Sequence, residues 1–378
     1  MKSEQRVWTE SEGWSDPRGE GLESAAAIVF VFGGSDRMRS GAGIKELQAL
    51  YPRAPVFGCS TAGEISGVTV TDSTLVSTAV SFRSTRVQLR SITFTGEPDS
   101  HSVGFKLASE LPREDLVHVM ALSDGLHING SDLVRGLLSA LPENVGLSGG
   151  LSGDGDRFQE TYVIGDEGPA TRTVSVLGIY GPDIRISCGS EGGWDPFGPE
   201  RVITRSEGAV LYELDGKPAL NLYKLYLGEY AGGLPATGLL FPLSIRSVDE
   251  DYSVVRTILQ VDEEAGSLTF AGDMPMNYRA RLMKAGYERL LDGAEAAAQA
   301  CKVHGEPPAD LAVLISCVGR RMVLNQRIEE ELEGVRAVLG PDVTLAGFYS
   351  YGEMSPLAGR SRCELHNQTM TVTTFREV

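Results

Sequence analysis

Two phrases near opposite ends of the chain carry the residue types most able to do chemistry. Gly58-Cys-Ser-Thr-Ala-Gly-Glu64-Ile65 and Gly347-Phe-Tyr-Ser-Tyr-Gly-Glu353-Met354 repeat glycine, a small hydroxyl residue, glycine, glutamate and an aliphatic residue in one register. A looser copy stands at Gly146-Leu-Ser-Gly-Gly-Leu-Ser152. A glycine-bounded hydroxyl turn after a buried strand presents N–H groups and a hydroxyl at a sheet edge, where they can hold a carboxylate or another polar ligand group. The same residues also suit a tight turn in which glycine allows close packing. Cys59, Ser60, Thr61 and Glu64 are therefore candidate ligand contacts, and so are Tyr349, Tyr351 and Glu353.

Further candidates lie between and beyond the phrases. Arg320, just after Ser316-Cys317, could grip a carboxylate with both arms of its guanidinium, or form a structural ion pair with Glu353 or another acid. Arg256 stands in a Val-Val-Arg-Thr strand pattern, where a solvent-facing arginine is the default. His366 and Asn367 precede the final strand. One axial histidine is enough to hold haem iron, which makes His366 and His127 the candidates for that role, while His118 alternates inside an apolar strand and reads as core. Ser123, Asp124 and His127 could form an acid/base set, with Cys59 or Cys317 as a nucleophile. The chain has no nucleophile elbow, Walker loop, dinucleotide fingerprint or His-Glu-x-x-His, so catalysis is not the expectation.

The elements that must position these residues follow one plan three times. Ala26–Phe32, Leu116–Leu122 and Leu311–Ile315 are continuous apolar runs. Each leads through a polar loop to a helical stretch, near 43–50, 131–141 and 324–339, and then to a second apolar strand ending near Gly58, Gly146 and Gly347. This is the β-α-β crossover signature of a covered sheet. Alternating strands then follow at Leu75–Phe82, Thr173–Tyr180 and Met370–Phe375. Ser131 reads as the N-cap of the second helix.

The middle differs. Trp194-Asp-Pro-Phe-Gly-Pro199 is a junction, Lys217-Pro218 opens a helix through Leu227, Val254–Val261 and Ser267–Phe270 form a hairpin, and a long helix runs from Tyr278 to Cys301. The expected fold class is α/β, with duplicated β-α-β units in covered mixed sheets and a two-part architecture: a polar segment 1–24, an N-terminal domain 25–190 and a C-terminal domain 191–378.

Bulk composition narrows the partners. The 378 residues are 42% hydrophobic and 22% charged, with a net charge of −17. That charge argues against nucleic acid and anionic membranes as partners. Residues 1–24 lack the apolar core of a signal peptide, and the five cysteines contain no CxxC pair, which fits reduced thiols in the cytoplasm.

The phrases resemble the FIST sensory domain in both its N-terminal and C-terminal parts. The likeness rests on 56–65, Gly149-Gly150 and Tyr162-Val163, then on Trp194 to Gly198, Tyr212 to Gly216, Phe241-Pro-Leu243, Ile315 to Arg320, the 347–353 phrase and His366-Asn367. The resemblance implies a bacterial input module of signal transduction that binds a small polar metabolite such as an amino acid. Output would pass through a separate partner, because no kinase, cyclase or receiver segment is attached. It also implies an alternative, a haem-based nitric-oxide sensor acting on a histidine kinase; a second alternative is an enzyme on a small polar metabolite. The ligand is expected in the C-terminal region, between the Ser316–Arg320 loop and the Gly347–Glu353 turn.

Overall fold

A computed structural model describes residues 1–19, 21–249, 252–356 and 362–378. Three units of one design form its core. The leading strands Ile28–Gly33, Leu116–Ser123 and Leu311–Cys317 are buried almost throughout, as their unbroken apolar runs require. Each lies parallel to the strand after its crossover (Val56–Ser60, Gly146–Leu151, Thr344–Ser350). Each also pairs antiparallel with a return strand (Leu75–Ser81, Thr173–Tyr180, Met370–Glu377). A fourth strand flanks each return strand: Lys2–Thr9, Arg86–Thr93 and Ile184–Glu191. The nominally polar N-terminus thus supplies a sheet strand, and the boundary expected near residue 190 falls inside another.

The register fixes the equivalences. Val31 faces Gly58, Ala121 faces Gly149 and Leu314 faces Gly347. A Cβ on any of these glycines would lie 1.8–1.9 Å from the facing carbonyl oxygen, so no other residue fits without moving a strand. This corrects the third copy of the phrase. Its first glycine is Gly149, not Gly146, and Gly155 occupies the place held by Glu64 and Glu353 in the other two.

Beyond each phrase the chain leaves its own unit. Glu64–Ser66 pairs with the third unit's Thr344–Ser350, Gly352–Pro356 pairs with the second unit's Gly146–Leu151, and Val163 pairs with the first unit's Cys59. At the crossing, Ala62 N–H donates to Tyr349 O (2.7 Å), Tyr351 N–H to Leu151 O (3.2 Å) and Gly153 N–H to Ser60 O (2.9 Å). These equivalent backbone bonds close a ring of three and interlock the units.

Between Ile184–Glu191 and Leu311–Cys317 the chain builds a lobe with its own apolar core, which includes Leu211, Tyr223, Leu243 and Phe270. An eight-stranded sheet and the helix Ala219–Leu227 form it. Two expectations change here. Val254–Arg256 pairs with Leu243–Arg246, so the hairpin is confined to Ile258–Asp262 and Ser267–Phe270. The long helix begins at Tyr287, because Arg279–Lys284 alternates outward and inward and completes the lobe sheet. In the second unit, the helix N-cap is Asn129, whose side chain accepts from Asp132 N–H, and not Ser131.

Candidate functional site

The repeated hydroxyl and carboxyl turn out to grip each other. Thr61 Oγ1 donates to Glu64 Oε1 and Ser350 Oγ to Glu353 Oε1, both at 2.6 Å. The second oxygen of Glu64 accepts from Thr74 N–H (3.1 Å) and Oγ1 (2.8 Å); that of Glu353 accepts from Thr369 N–H (3.2 Å) and Oγ1 (2.9 Å). Thr74 and Thr369 immediately precede the return strands, each just after a non-glycine residue of positive φ, Ser73 (57°) and Gln368 (65°). The carboxyl therefore ties the departing arm back to its own unit and steadies a strained turn. In the second unit, which has Gly155 in that place, Asp124 does related work, accepting from Arg172 N–H (3.1 Å; Arg172 φ 52°) and Thr161 Oγ1 (3.2 Å). Burial pushes the Glu64 carboxyl up to about 7 and that of Glu353 to about 8, against the pull of these hydrogen bonds.

Other candidates from the sequence are similarly enclosed. Ser60 Oγ donates to Gly153 O (2.7 Å) and accepts from Tyr162 N–H (2.8 Å). Cys59 and Cys317 are buried, and burial drives both thiols well above their usual range, away from nucleophilic thiolate. Arg320 is fully buried. Its guanidinium donates to Glu331 (2.8 and 3.2 Å), to Leu290 O (2.7 Å) and to Gly192 O. Glu331 also accepts from Tyr349 Oη (2.7 Å) and Ser316 Oγ (3.2 Å). The acid opposite Arg320 is thus Glu331, which the sequence reading missed. Its signal was present: Glu331 precedes Val335 and Leu339 by one and two helical turns, on the buried face of helix Ile328–Leu339.

Of the two candidate haem ligands, His366 is enclosed and His127 lies outside the main cleft. His366 is buried with Nε2 2.9 Å from Ser355 O, and burial depresses its pKa to about 4. His127 Nδ1 is 3.0 Å from Asp124 Oδ1, and the ring does not line the cavity that its neighbours Leu126 and Ile128 border. No cluster of metal-ligating side chains occurs among the described residues. Asn367 is buried, with Nδ2 3.5 Å from Tyr351 O and Oδ1 unpartnered.

Open space lies against the lobe instead. A cleft of about 580 Å³ separates the core from the lobe. Its core wall comes from Gly125, Leu126, Ile128 and Asn129 and from Leu151, Phe158 and Tyr351; its lobe wall includes Leu239, Ile258 and Phe270. Tyr351 and Phe158 stack with ring centroids 4.4 Å apart. Tyr351 Oη accepts from Phe158 N–H and donates to Gly155 O, both at 3.2 Å. Of the candidate residues, Tyr351 alone reaches this cleft, and Arg256 lines a smaller cavity on the far side of Gly272. The expected site between 316–320 and 347–353 is packed interior rather than a pocket.

Comparison with known proteins accounts for nearly the whole chain. The FIST N domain model matches residues 27–217 and the FIST C domain model residues 219–356. The chain belongs to the FIST family. FIST domains are in general sensory, ligand-binding signalling domains. The two models meet within Lys217-Pro218-Ala219, inside the lobe of this FIST protein, rather than near residue 190. It is 26% identical over 270 residues to the uncharacterized protein Rv0628c of Mycobacterium tuberculosis, covering 68% of this chain and 67% of that one. It is 25% identical over 204 residues to the uncharacterized protein MJ1623 of Methanocaldococcus jannaschii, covering 50% of this chain and 38% of that one. Among solved structures, a cyanuric acid hydrolase from A. caulinodans aligns over 94% of this chain and 91% of its own, at 9% identity and a TM-score of 0.34, too distant to carry an argument. No helix among the described residues is long and apolar enough to cross a membrane.

Proposed function

We propose that this FIST protein is a cytoplasmic input module that binds a small metabolite in the cleft between core and lobe and signals through a separate partner, such as a histidine kinase. The observation that carries the reading is the cleft itself. About 580 Å³ is the size of a small-molecule site, and one wall belongs to an insert with its own apolar core. A ligand touching both walls favours one lobe position over another, and that differential contact is what a partner reads. The lining is mostly apolar, with Asn129, Asp156 and Gln260 as polar points. It suits a compound with an apolar body and a polar end, of which an amino acid with a large side chain is one example.

Native mass spectrometry of the purified chain, followed by titration of any compound recovered, tests this. Ala271 lines the cleft, and its backbone bond to Thr257 O survives a change of side chain. Ala271→Trp should fill the cleft and abolish binding without unfolding the protein. Equal binding by the wild type and A271W would remove the cleft as the site.

A further inference from the structure

Behind the lobe wall of the cleft lies a second cavity, of about 220 Å³, and its floor carries an arginine that no carboxylate among the described residues touches. Arg256 is only 6% exposed. Its guanidinium donates to three backbone carbonyls: Leu365 O (2.9 Å), Asp273 O (3.2 Å) and Val255 O (3.3 Å). Among the described residues no carboxylate oxygen lies within 4.0 Å of it. Buried arginines are normally paired, because an isolated charge is costly to remove from water. Arg320 in the same protein shows the usual solution, with Glu331 in contact.

A second polar group in this cavity is also without a partner. Ser131 is 8% exposed, and its Oγ makes no hydrogen bond. Arg135 and Arg246 stand at the rim, and Tyr278 adds a phenol. Among the described residues, the two carboxylates that border the cavity support the Arg256 charge without touching it, and both are already engaged. Asp273 accepts from Arg135 (2.8 Å) and Asn129 (2.8 Å), and Glu364 accepts from Tyr252 (2.5 Å). Burial lowers the Arg256 pKa only to about 10, so it stays charged at neutral pH.

We infer that this cavity is an oxyanion site, in which Arg256 and the Ser131 hydroxyl hold the phosphate or carboxylate group of a small anionic metabolite. The guanidinium supplies charge-assisted hydrogen bonds, and the Ser131 hydroxyl, buried and with no acceptor in the protein, supplies a donor by turning toward the anion. A volume of about 220 Å³ admits the charged end of a metabolite and little more. The site is separate from the cleft and does not rest on it. They share a wall, however: Gly272 lines the cleft, and a Cβ there would come 2.9 Å from Arg256 Nε.

Isothermal titration of the full chain with inorganic phosphate and, separately, with acetate tests the inference, with chloride balancing ionic strength. Saturable single-site binding of either anion is expected. Tighter phosphate binding would assign a phosphorylated ligand, and tighter acetate binding a carboxylate. Arg256→Met should weaken binding by more than about tenfold. Ser131→Ala should weaken it by roughly three- to tenfold. The serine hydroxyl has no internal partner to lose, so S131A keeps its fold and decides the matter even if R256M does not fold. No saturable binding of either anion, or affinity unchanged in S131A, would overturn the site.

Discussion

The buried clamps make stability depend on pH in an unusual direction. Free glutamate carboxyls titrate near 4.5, but in the folded protein Glu64 holds its proton to about 7 and Glu353 to about 8. Between these limits the folded state binds more protons than the unfolded state, so stability falls as pH rises and levels off above pH 8. Two histidines act the other way. His118, depressed to about 3, and His366, depressed to about 4, are buried neutral. Their contribution is complete above about pH 6.5 and is lost as pH falls toward those values. Glu377, lowered to about 2 by the N–H groups of Arg83, Ser84 and Thr85, contributes above about 4.5 and loses that only in stronger acid. The window from pH 6.5 to 8 therefore isolates the carboxyl clamps. Over that interval Glu353 alone removes roughly 2 kcal/mol, at about 1.4 kcal/mol per pH unit. Urea unfolding at half-unit intervals from pH 6 to 8.5 should show a decline that steepens above pH 6.5, where the histidines no longer offset it, and flattens above pH 8. Glu353→Gln, a neutral mimic, should flatten most of the decline, and Glu64→Gln its lower end. Stability that is flat or rising from 6.5 to 8 in the wild type would refute the clamp account.

Other outcomes follow from the same contacts. Arg320→Met should cost about 3–5 kcal/mol by stranding Glu331, while the double variant with Glu331→Leu should recover much of that loss; additive losses in the urea midpoint would mean that the pair is not coupled. Gly347→Ala places a Cβ 1.8 Å from Leu314 O and should leave little folded protein by circular dichroism, whereas Gly232→Ala, with open space around it, should stay within about 0.5 kcal/mol of wild type. Incubation with haem should yield no stoichiometric Soret band, and a band lost in His127→Ala would reverse the reading of that residue.

The three units were legible because their signal is local. An unbroken run such as Ile28–Gly33 is too short for a helix and rich in β-branched and aromatic residues, which makes it a strand covered on both faces, and the repetition of that run with a crossover helix carries the core. The lobe was harder. Arg279-Ala-Arg-Leu-Met-Lys284 has charge and aliphatic content that suits a helix, and its strand state is imposed by Leu243–Arg246 and Asp195–Glu207 on either side. Arg256 was expected to face solvent. Its strand does alternate, but Val254 and Arg256 share the buried face, because the lobe packs that face against Cys363–His366. No spacing rule contains a contact more than one hundred residues away.

The candidate site was misread for a related reason. A hydroxyl, a glycine and a glutamate after a buried strand have the same local chemistry whether the next residues stay at a sheet edge or leave for another unit. At an edge the carboxyl and the N–H groups are free to meet a ligand. Here the chain crosses over, and the carboxyl must satisfy its own turn because water cannot reach it. Glu64 and Glu353 therefore serve as internal ligands, and Arg320 finds its oxyanion in Glu331. Arg256 is as deeply buried, yet among the described residues it has been given no such oxyanion. In a protein that satisfies its other buried charges so fully, that exception is where an external anion belongs.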